Sequence, residues 1–345
     1  MGERYCAIQR KKPIIMTFHF RFGVLVALLS ICAGFSVSLK SSSKHFCAAV
    51  VVPGFLTGSE EFQPLCQALT ERGLPTVAVP MPNTHWLPCL GGRSARPILE
   101  RIDFTVKHLV ANDGDISRIP KYEYSLVDAW VDFRQNPGGI FRVGGAVRVD
   151  EYPQVEPRGN FPSPPREELD KGKVALIGHS AGGWISRVYL SSRTYGGKAY
   201  QGSNYVHSLV TLGTPHASAP GPAFEGISWV NEETVPIRAL SVAGRGFKGD
   251  DWGSLTQGAY SFCCPNSSDG TSYDGDGLTP VFSSLAMEGS EQLILDDVAH
   301  FPWSDVWGGE LLAPELARDY KQGRSWYGSD EIVDKWVDWI IDATD

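Results

Sequence analysis

The chain has 345 residues, of which 42% are hydrophobic and 20% charged, so it is long and apolar enough to bury a sizeable core. Its formal charge of −8 is unevenly distributed, because residues 1–45 hold seven of the 31 Lys and Arg residues but only one of the 39 acidic residues. The remainder carries 24 basic against 38 acidic side chains, which argues against nucleic acid or anionic lipid headgroups as partners bound by charge.

The first 45 residues look like a targeting leader. Basic residues precede the apolar run Phe22–Val37, which is short for a membrane span, and a Ser-rich stretch without acidic residues follows. We expect a signal peptide cleaved near Ala33–Phe35. A signal followed by a transit peptide is one alternative, and an uncleaved signal anchor is another. The corresponding destinations are the secretory pathway, the plastid or a membrane-anchored form.

Alternating strand and helix patterns begin at residue 46 and predict a single α/β domain, residues 46–345. Phe46–Val52 is apolar on both faces, as in a strand inside a parallel sheet, and Pro75–Val79 is a second buried strand. Between them a helix is predicted from Ser59, its N-cap, to Gly73, its stop. Strands joined through helices lie parallel, so we expect a mostly parallel central sheet flanked by helices.

A long insertion precedes the next predicted strand. A helix opened by Pro97 ends near Val110, and residues 112–171 are then rich in Pro, Gly and aromatic side chains. We predict no regular structure there. Such a segment either lines a lid or binding cleft or packs on the flank of the domain.

The central feature of the sequence is Lys173–Gly183, which reads KVALIGHSAGG. A short apolar strand runs into Gly-His-Ser-Ala-Gly, and a helical pattern follows directly. A turn this tight needs glycine on both sides of its apex, and it presents Ser180 at the end of a strand and the start of a helix. Strand, turn and helix together predict a nucleophile elbow.

Three further strands and a closing helix follow the elbow. The predicted strands are Val206–Leu212, Pro236–Val242 and Glu291–Leu295, and the closing amphipathic helix places Ile332 and Ile340 on its apolar face. Each later strand ends at the same edge of a parallel sheet as the elbow. Side chains just beyond these strands are therefore candidates to act with Ser180.

A serine hydroxyl needs a base to take its proton and a carboxylate to orient that base, and on such a sheet they follow in the order Ser, Asp, His. His300 follows the last strand and is the predicted base, with His216 as its rival. Asp276, between two glycines, is the predicted acid, with Asp274 as the alternative. A calcium loop is a competing interpretation of the two aspartates, but Leu278 stands where a ligand would be needed.

The oxyanion that forms during ester cleavage needs two backbone donors. Ala181 N–H, directly after the nucleophile, is one candidate. Phe55 N–H, in the loop after the first strand, is the other. We expect no metal and no cofactor. Cysteines are odd in number beyond the leader, and a bridge from Cys89 to Cys263 or Cys264 is conceivable in an oxidising compartment.

Five motifs in order, VVVPGF, GHSAGGW, TLGTPH, DGDGLTP and VAHFPW, resemble the α/β-hydrolase superfamily over roughly residues 46–341. The resemblance is to the lipase-like hydrolases of plants and algae that are related to the GPI inositol-deacylase and triacylglycerol lipase groups. It implies an α/β-hydrolase fold with Ser180, Asp276 and His300 as triad. Two positions depart from the pattern: Pro53 replaces the His usual in lipases, and Ala181 replaces the Met frequent in deacylases.

The predicted activity is hydrolysis of carboxylic esters, with lipid or acyl esters as substrates, through an acyl-enzyme. A deacylase-like activity, acyl transfer and a non-catalytic binding role on the same fold are the alternatives. Association with a membrane surface stays open, and the sequence does not indicate an oligomeric state. The residues expected near the pocket are His179, His216, Trp184, Phe301 and Trp303.

Overall fold

The computed structural model describes residues 48–90, 93–135, 174–250, 253–264, 269–301 and 324–341, all within the compact unit Lys44–Asp345. The predicted leader and most of the insertion, residues 136–171, lie outside the described residues. Within the described ranges, no helix combines the length and the apolarity that crossing a bilayer requires. The domain boundaries predicted from the sequence stay predictions.

A six-stranded sheet of parallel strands forms the centre of the domain, in the order β2-β1-β3-β4-β5-β8. Strands β6 and β7 form a second, two-stranded antiparallel sheet. The strands are β1 Ala49–Val52, β2 Thr76–Ala78, β3 Val174–His179, β4 Val206–Leu212, β5 Arg238–Arg245, β6 Phe247–Lys248, β7 Asp274–Gly275 and β8 Glu291–Asp296.

Helices cover both faces of this sheet, which explains why its central strands are apolar on both sides. The described α-helices are α1 Gln63–Glu71, α2 Arg96–Ala111, α3 Leu126–Gln135, α4 Ala181–Leu190, α5 Glu225–Val230, α6 Gly253–Phe262, α7 Val281–Ser284, α8 Asp330–Val333 and α9 Val337–Ile341. On β1, Val50 and Val52 pack with α2 and α4, whereas Ala49 and Val51 pack with α1, α8 and α9. Successive strand residues point to opposite faces, so one short strand joins two cores.

The direction in which the chain crosses the sheet reverses between β1 and β3. From β1 the chain moves outward to β2, returns to β3 on the other side of β1, and then proceeds through β4 and β5 to β8. Connections on the two sides of such a reversal leave in opposite directions and open a crevice at the carboxyl ends of the strands. The loop after β1 and the turn after β3, which holds Ser180, border this point.

The predicted fold class is confirmed, and the strand predictions are accurate to within a few residues. The first helix starts later than predicted, at Gln63 rather than Ser59, and in the turn before it the Glu61 carboxylate accepts a hydrogen bond from Gly58 N–H. Gly73 does end it, with φ of +86°. Leu126–Gln135 forms a helix where we expected irregular chain.

Two other predictions need correction. The closing helix is divided into α8 and α9, although its predicted apolar residues are buried as expected. The conceivable disulfide does not form, because Cys89, Cys263 and Cys264 are all free thiols.

Candidate active site

Ser180 occupies the turn between β3 and α4 in a strained conformation, with φ of +51° and ψ of −126°. Its N–H donates to the carbonyl of Leu212 at 2.9 Å, which ties the turn to β4. A Cβ on Gly178 would lie 2.4 Å from the Cα of Gly183, so strand and helix can approach this closely only through glycines. The predicted strand–turn–helix elbow is therefore present.

The loop after β1 packs directly against this turn. A Cβ on Gly54 would lie 2.9 Å from the Cβ of Ser180, and the Thr57 hydroxyl donates to the carbonyl of Gly54 at 2.7 Å. Phe55, the next residue of this loop, lines the same cleft as Ser180 and Ala181. Neither Phe55 N–H nor Ala181 N–H donates to an acceptor within the described residues. Both amides are thus available to a negatively charged oxygen.

Asp276 and His300 form a buried pair. Nδ1 of His300 lies 2.7 Å from Oδ2 of Asp276, and the two side chains are 2% and 0% exposed. The His300 N–H also donates to the backbone carbonyl of Asp276 at 2.9 Å. Because a carboxylate accepts, Nδ1 carries the proton of the neutral ring, and Nε2 is left with a lone pair.

The Asp276 carboxylate is fully engaged. Oδ1 accepts hydrogen bonds from the N–H groups of Leu278 and Thr279, at 3.0 and 2.7 Å. Oδ2 accepts a hydrogen bond from the Tyr327 hydroxyl at 2.8 Å and another from His300. The alternative acid, Asp274, is turned elsewhere: its Oδ1 accepts the N–H groups of Gly246 and Gly275, both at 2.8 Å. Of the two aspartates, the structure brings Asp276 to the histidine.

His179, next to the serine, connects the elbow to His300. Its Nε2 lies 2.6 Å from the carbonyl oxygen of His300, and the two ring centroids are 4.8 Å apart. Burial, followed by the proximity of His300, lowers the pKa of His179 well below its ordinary value, so the ring is neutral and donates through Nε2. The Ser180 hydroxyl itself forms no hydrogen bond with His300 among the described residues.

His216 is held inside the protein and does not border the cleft. Its Nδ1 lies 3.2 Å from the Arg187 guanidinium and its Nε2 lies 3.1 Å from the Thr211 hydroxyl. Burial, with the nearby charge of Arg187, lowers the pKa of His216 well below its ordinary value. His179 is also completely buried. Neither ring lines the cleft: His179 faces the core, as its place inside the elbow also suggested, and His216 lies behind the pocket wall where we had expected it.

A cleft of about 460 Å³ opens in front of Ser180 and Ala181. Its walls are mainly aromatic and aliphatic, and the side chains that form them are Phe55, Trp86, Trp184, Ile185, Phe224, Ile227 and Phe262. This size and this lining are typical of small-molecule sites that hold an apolar group. Two charged residues, Arg93 and Glu225, also border the cleft.

The remaining predicted pocket residues have different positions. Trp184 lines the cleft, and its ring fills the space where a Cβ on Gly226 would lie, at 2.4 Å. Phe301 packs edge-on against His300, with centroids 4.9 Å apart. Trp303 lies outside the described residues.

Sequence reasoning missed Tyr327, which is completely buried and touches Asp276. It lies 51 residues after Asp276 in a stretch, RSWYGSD, that carries no motif for a catalytic role. Its N-terminal neighbours are tied to the histidine loop, because Ala299 N–H donates to the carbonyl of Ser325 and Ala299 bridges with Trp326. Only the folded chain brings this tyrosine to the site.

A family model described as a PGAP1-like alpha/beta domain matches residues 165–234. The match covers about a fifth of the chain, includes the elbow and ends before Asp276. It supports the resemblance to the α/β-hydrolase superfamily and its link to GPI inositol-deacylase-like proteins. Among curated proteins, none matches the chain significantly in sequence.

Three bacterial proteins are among the solved structures that the comparison matches to the chain. A protein assigned to the α/β superfamily of hydrolases, from Xanthomonas campestris pv. campestris, is 13% identical, with 80% of this chain and 98% of that chain covered and a TM-score of 0.34. Dienelactone hydrolase from Anabaena variabilis is 12% identical, with 81% and 86% covered and a TM-score of 0.29. The esterase Est2 from Thermogutta terrifontis is 10% identical, with 83% of each chain covered and a TM-score of 0.36. At these values the likenesses carry no argument about activity, and the fold assignment stands on the sheet described above.

Proposed function

We propose that this α/β-hydrolase-fold protein is a serine hydrolase that cleaves carboxylic esters of apolar acyl groups through an acyl-enzyme. The observation that carries the proposal is the buried Asp276–His300 pair beside the strained Ser180 turn. A neutral histidine with its Nδ1–H held by a carboxylate presents Nε2 as a base. A strained serine at a helix start is the complementary nucleophile.

In the proposed first step, Ser180 Oγ attacks the ester carbonyl while His300 Nε2 takes the hydroxyl proton. The proposal requires the hydrogen bond between Ser180 Oγ and His300 Nε2 to form when substrate binds, since catalytic hydrogen bonds are often loose in ligand-free sites. The tetrahedral oxyanion accepts hydrogen bonds from Phe55 N–H and Ala181 N–H, neither of which donates to an acceptor among the described residues. The alcohol leaves with the proton from His300, and Ser180 keeps the acyl group as an ester.

Water completes the proposed cycle. It attacks the acyl-enzyme carbonyl as His300 Nε2 takes one of its protons, and the same proton then returns to Ser180 Oγ as the acid leaves. The Asp276 carboxylate orients the ring and stabilises the positive imidazolium that forms in each half of the cycle. The protein's own side chains therefore account for every proton transfer.

The cleft supports an apolar acyl group as the part of the substrate that the protein binds. Aromatic and aliphatic side chains dominate its walls, and Ser180 lies among them. The net negative charge of the chain also favours neutral esters over anionic ones. A deacylase acting on an inositol-linked acyl chain would fit the family match over residues 165–234 and belongs to the same proposal.

A fluorophosphonate probe tests the proposal directly, because it labels only an activated serine. We expect labelling of the wild type and none of Ser180→Ala, with Ser218→Ala, a serine outside the triad, as the labelled control. If folded wild-type protein stays unlabelled, the proposed chemistry is wrong and a binding role replaces it.

Esters of p-nitrophenol with graded acyl length test the substrate. We expect kcat/KM to rise with chain length and then fall once the chain exceeds the cleft. A flat profile would contradict the assignment of the cleft to the acyl group. Addition of an alcohol separates hydrolysis from acyl transfer, since transfer yields a new ester instead of the free acid.

We also propose that residues 1–45 direct the protein to the secretory pathway or the plastid. The proposal is supported by the basic, apolar and Ser-rich order of that segment. Sequencing the N-terminus of the mature protein tests it, and a start near Ser36 is the expected result.

A further inference from the structure

Tyr327 lies behind the acid–base pair and is completely buried. Its hydroxyl lies 2.8 Å from Asp276 Oδ2 and 2.7 Å from the backbone nitrogen of Gly244. Because the amide of Gly244 can only donate, the tyrosine oxygen accepts there and its single proton goes to Asp276. The direction of both hydrogen bonds is therefore determined.

The protein leaves space for this ring by means of two glycines. A Cβ on Gly213 would lie 2.8 Å from Cε2 of Tyr327, and a Cβ on Gly244 would lie 3.0 Å from its hydroxyl. Gly213 follows β4 with φ of +57°, and Gly244 is in β5. The carboxyl ends of two central strands are thus shaped to admit the tyrosine beside Asp276.

The hydroxyl completes the set of donors around the carboxylate. Two backbone N–H groups hold Oδ1 of Asp276, whereas the partners of Oδ2 within the described ranges are Tyr327 and His300. Without the tyrosine hydroxyl, a single hydrogen bond from the histidine would have to orient Oδ2. Outer hydrogen-bond partners of this kind fix the geometry of the groups that do chemistry.

We propose that Tyr327 is a positioning residue, whose hydroxyl orients the Asp276 carboxylate toward His300 Nδ1 and moderates the charge that the carboxylate presents to the ring. The inference rests on the proposed function of Ser180, Asp276 and His300. Tyr327 acts through Asp276 and touches no substrate.

The surroundings keep Tyr327 a donor. Burial, followed by the charge of Asp276, raises the pKa of Tyr327 well above its ordinary value, so the phenol keeps its proton at working pH. Further titratable groups that face the pair, within the described part of the chain, are Tyr260 and Cys263, which interact with Asp276, and His179, which contacts the histidine.

Tyr260 provides a matched control. It is also completely buried, and its hydroxyl donates to the carbonyl of Phe247 at 2.7 Å and accepts from Gly277 N–H at 2.9 Å. It therefore holds the same loop as Tyr327 through backbone groups alone. Tyr260→Phe and Tyr327→Phe each remove one buried hydroxyl, but only the second removes a donor from the Asp276 carboxylate.

The experiment measures the rate of fluorophosphonate labelling against pH for the full chain and both variants. For Tyr327→Phe we expect labelling about tenfold to 100-fold slower, by analogy with the removal of the hydrogen-bond partners that orient metal ligands. We also expect the acidic limb to move to higher pH, because the unshielded carboxylate binds the imidazolium more strongly. With p-nitrophenyl esters, kcat should fall while KM stays constant. Tyr260→Phe should keep the wild-type pH profile.

A second readout does not depend on activity. The proton between His300 Nδ1 and Asp276 Oδ2 gives a downfield NMR resonance, which should move in Tyr327→Phe and stay in place in Tyr260→Phe. If wild-type protein is not labelled, the proposed function fails, and this resonance alone decides the role of Tyr327. An unmoved resonance overturns the inference, and so does an equal change of rate and pH profile in the two variants.

Discussion

Replacing Gly182 by alanine should destabilise the protein even though alanine is the better helix former. Gly182 is the second residue of α4, and a Cβ there would lie 2.2 Å from the carbonyl oxygen of Val52 and 2.7 Å from that of Pro53. Both oxygens belong to backbone at the end of β1, so no flexible side chain can move aside. The loop would have to retreat by roughly 1 Å to restore an ordinary contact.

Two opposing effects determine the magnitude. Alanine in place of a helical glycine would by itself stabilise by about 1 kcal/mol. Overpacking against fixed groups costs about 1–3 kcal/mol, and here the group is backbone, so we expect a net loss of about 1–2 kcal/mol. The displaced loop also carries Phe55 N–H. A misplacement of about 1 Å lowers rates by about 10²-fold, which is the expected loss in labelling rate.

Urea unfolding followed by tryptophan fluorescence, together with fluorophosphonate labelling, measures both effects. Gly258→Ala is the matched control: Gly258 is an exposed residue of α6, and a Cβ there meets nothing within 4 Å. That variant should be more stable by about 0.5–1 kcal/mol and label normally. If Gly182→Ala matches Gly258→Ala in stability and labelling, the close packing of β1 on the elbow is wrong.

Three further predictions follow from other sites. Gly213→Ala places a Cβ 2.4 Å from Asp276 Oδ2, so the rate of fluorophosphonate labelling of this variant should fall steeply. Its control is Gly73→Ala, where the backbone is similarly left-handed but no neighbour lies within 4 Å, so that variant should lose only about 1–2 kcal/mol of stability. Equal labelling rates in the two variants would refute this. Burial, followed by the charge of Arg101, lowers the pKa of His85 to about 3, whereas in an unfolded chain it is about 6.5. The contribution of the neutral His85 ring to stability is therefore complete above about pH 6.5 and is lost as the pH falls toward 3. Between pH 6.5 and 5 the wild type should therefore lose about 2 kcal/mol more than His85→Gln in urea unfolding, and parallel curves would contradict it. Burial raises the pKa of the Cys66 thiol to about 12. Iodoacetamide at pH 8 should therefore modify Cys66 in urea but not in the native protein, as detected by peptide mass spectrometry. Rapid modification of the native protein would contradict this, because it would show that the thiol is accessible.

The elbow could be predicted from sequence because its determinants are local. Strand, turn and helix are encoded by neighbouring residues, and the glycines around Ser180 are needed wherever backbone approaches this closely. The parallel sheet could be predicted for a related reason, since apolar strands that alternate with helices have few other ways to bury both faces. The helix at Leu126–Gln135 was missed because its environment of Pro, Gly and aromatic residues hid the helical pattern.

Side-chain partnerships over long separations were decided only by the tertiary structure. The sequence left Asp274 and Asp276 as alternatives, and their different hydrogen bonds depend on how the chain folds after β7. It ranked His216 as a rival base, whereas the fold buries that ring against Arg187.

The sequence by itself determined the class of fold and a short set of residues at the carboxyl edge of the sheet, because period and spacing are properties of neighbours in the chain. The tertiary structure decided which carboxylate meets His300, which amides stay available, and that Tyr327 reaches Asp276 from 51 residues away. Such contacts depend on how separate elements pack against one another, to within an ångström. A local pattern of residue types does not determine the distance between side chains on different elements.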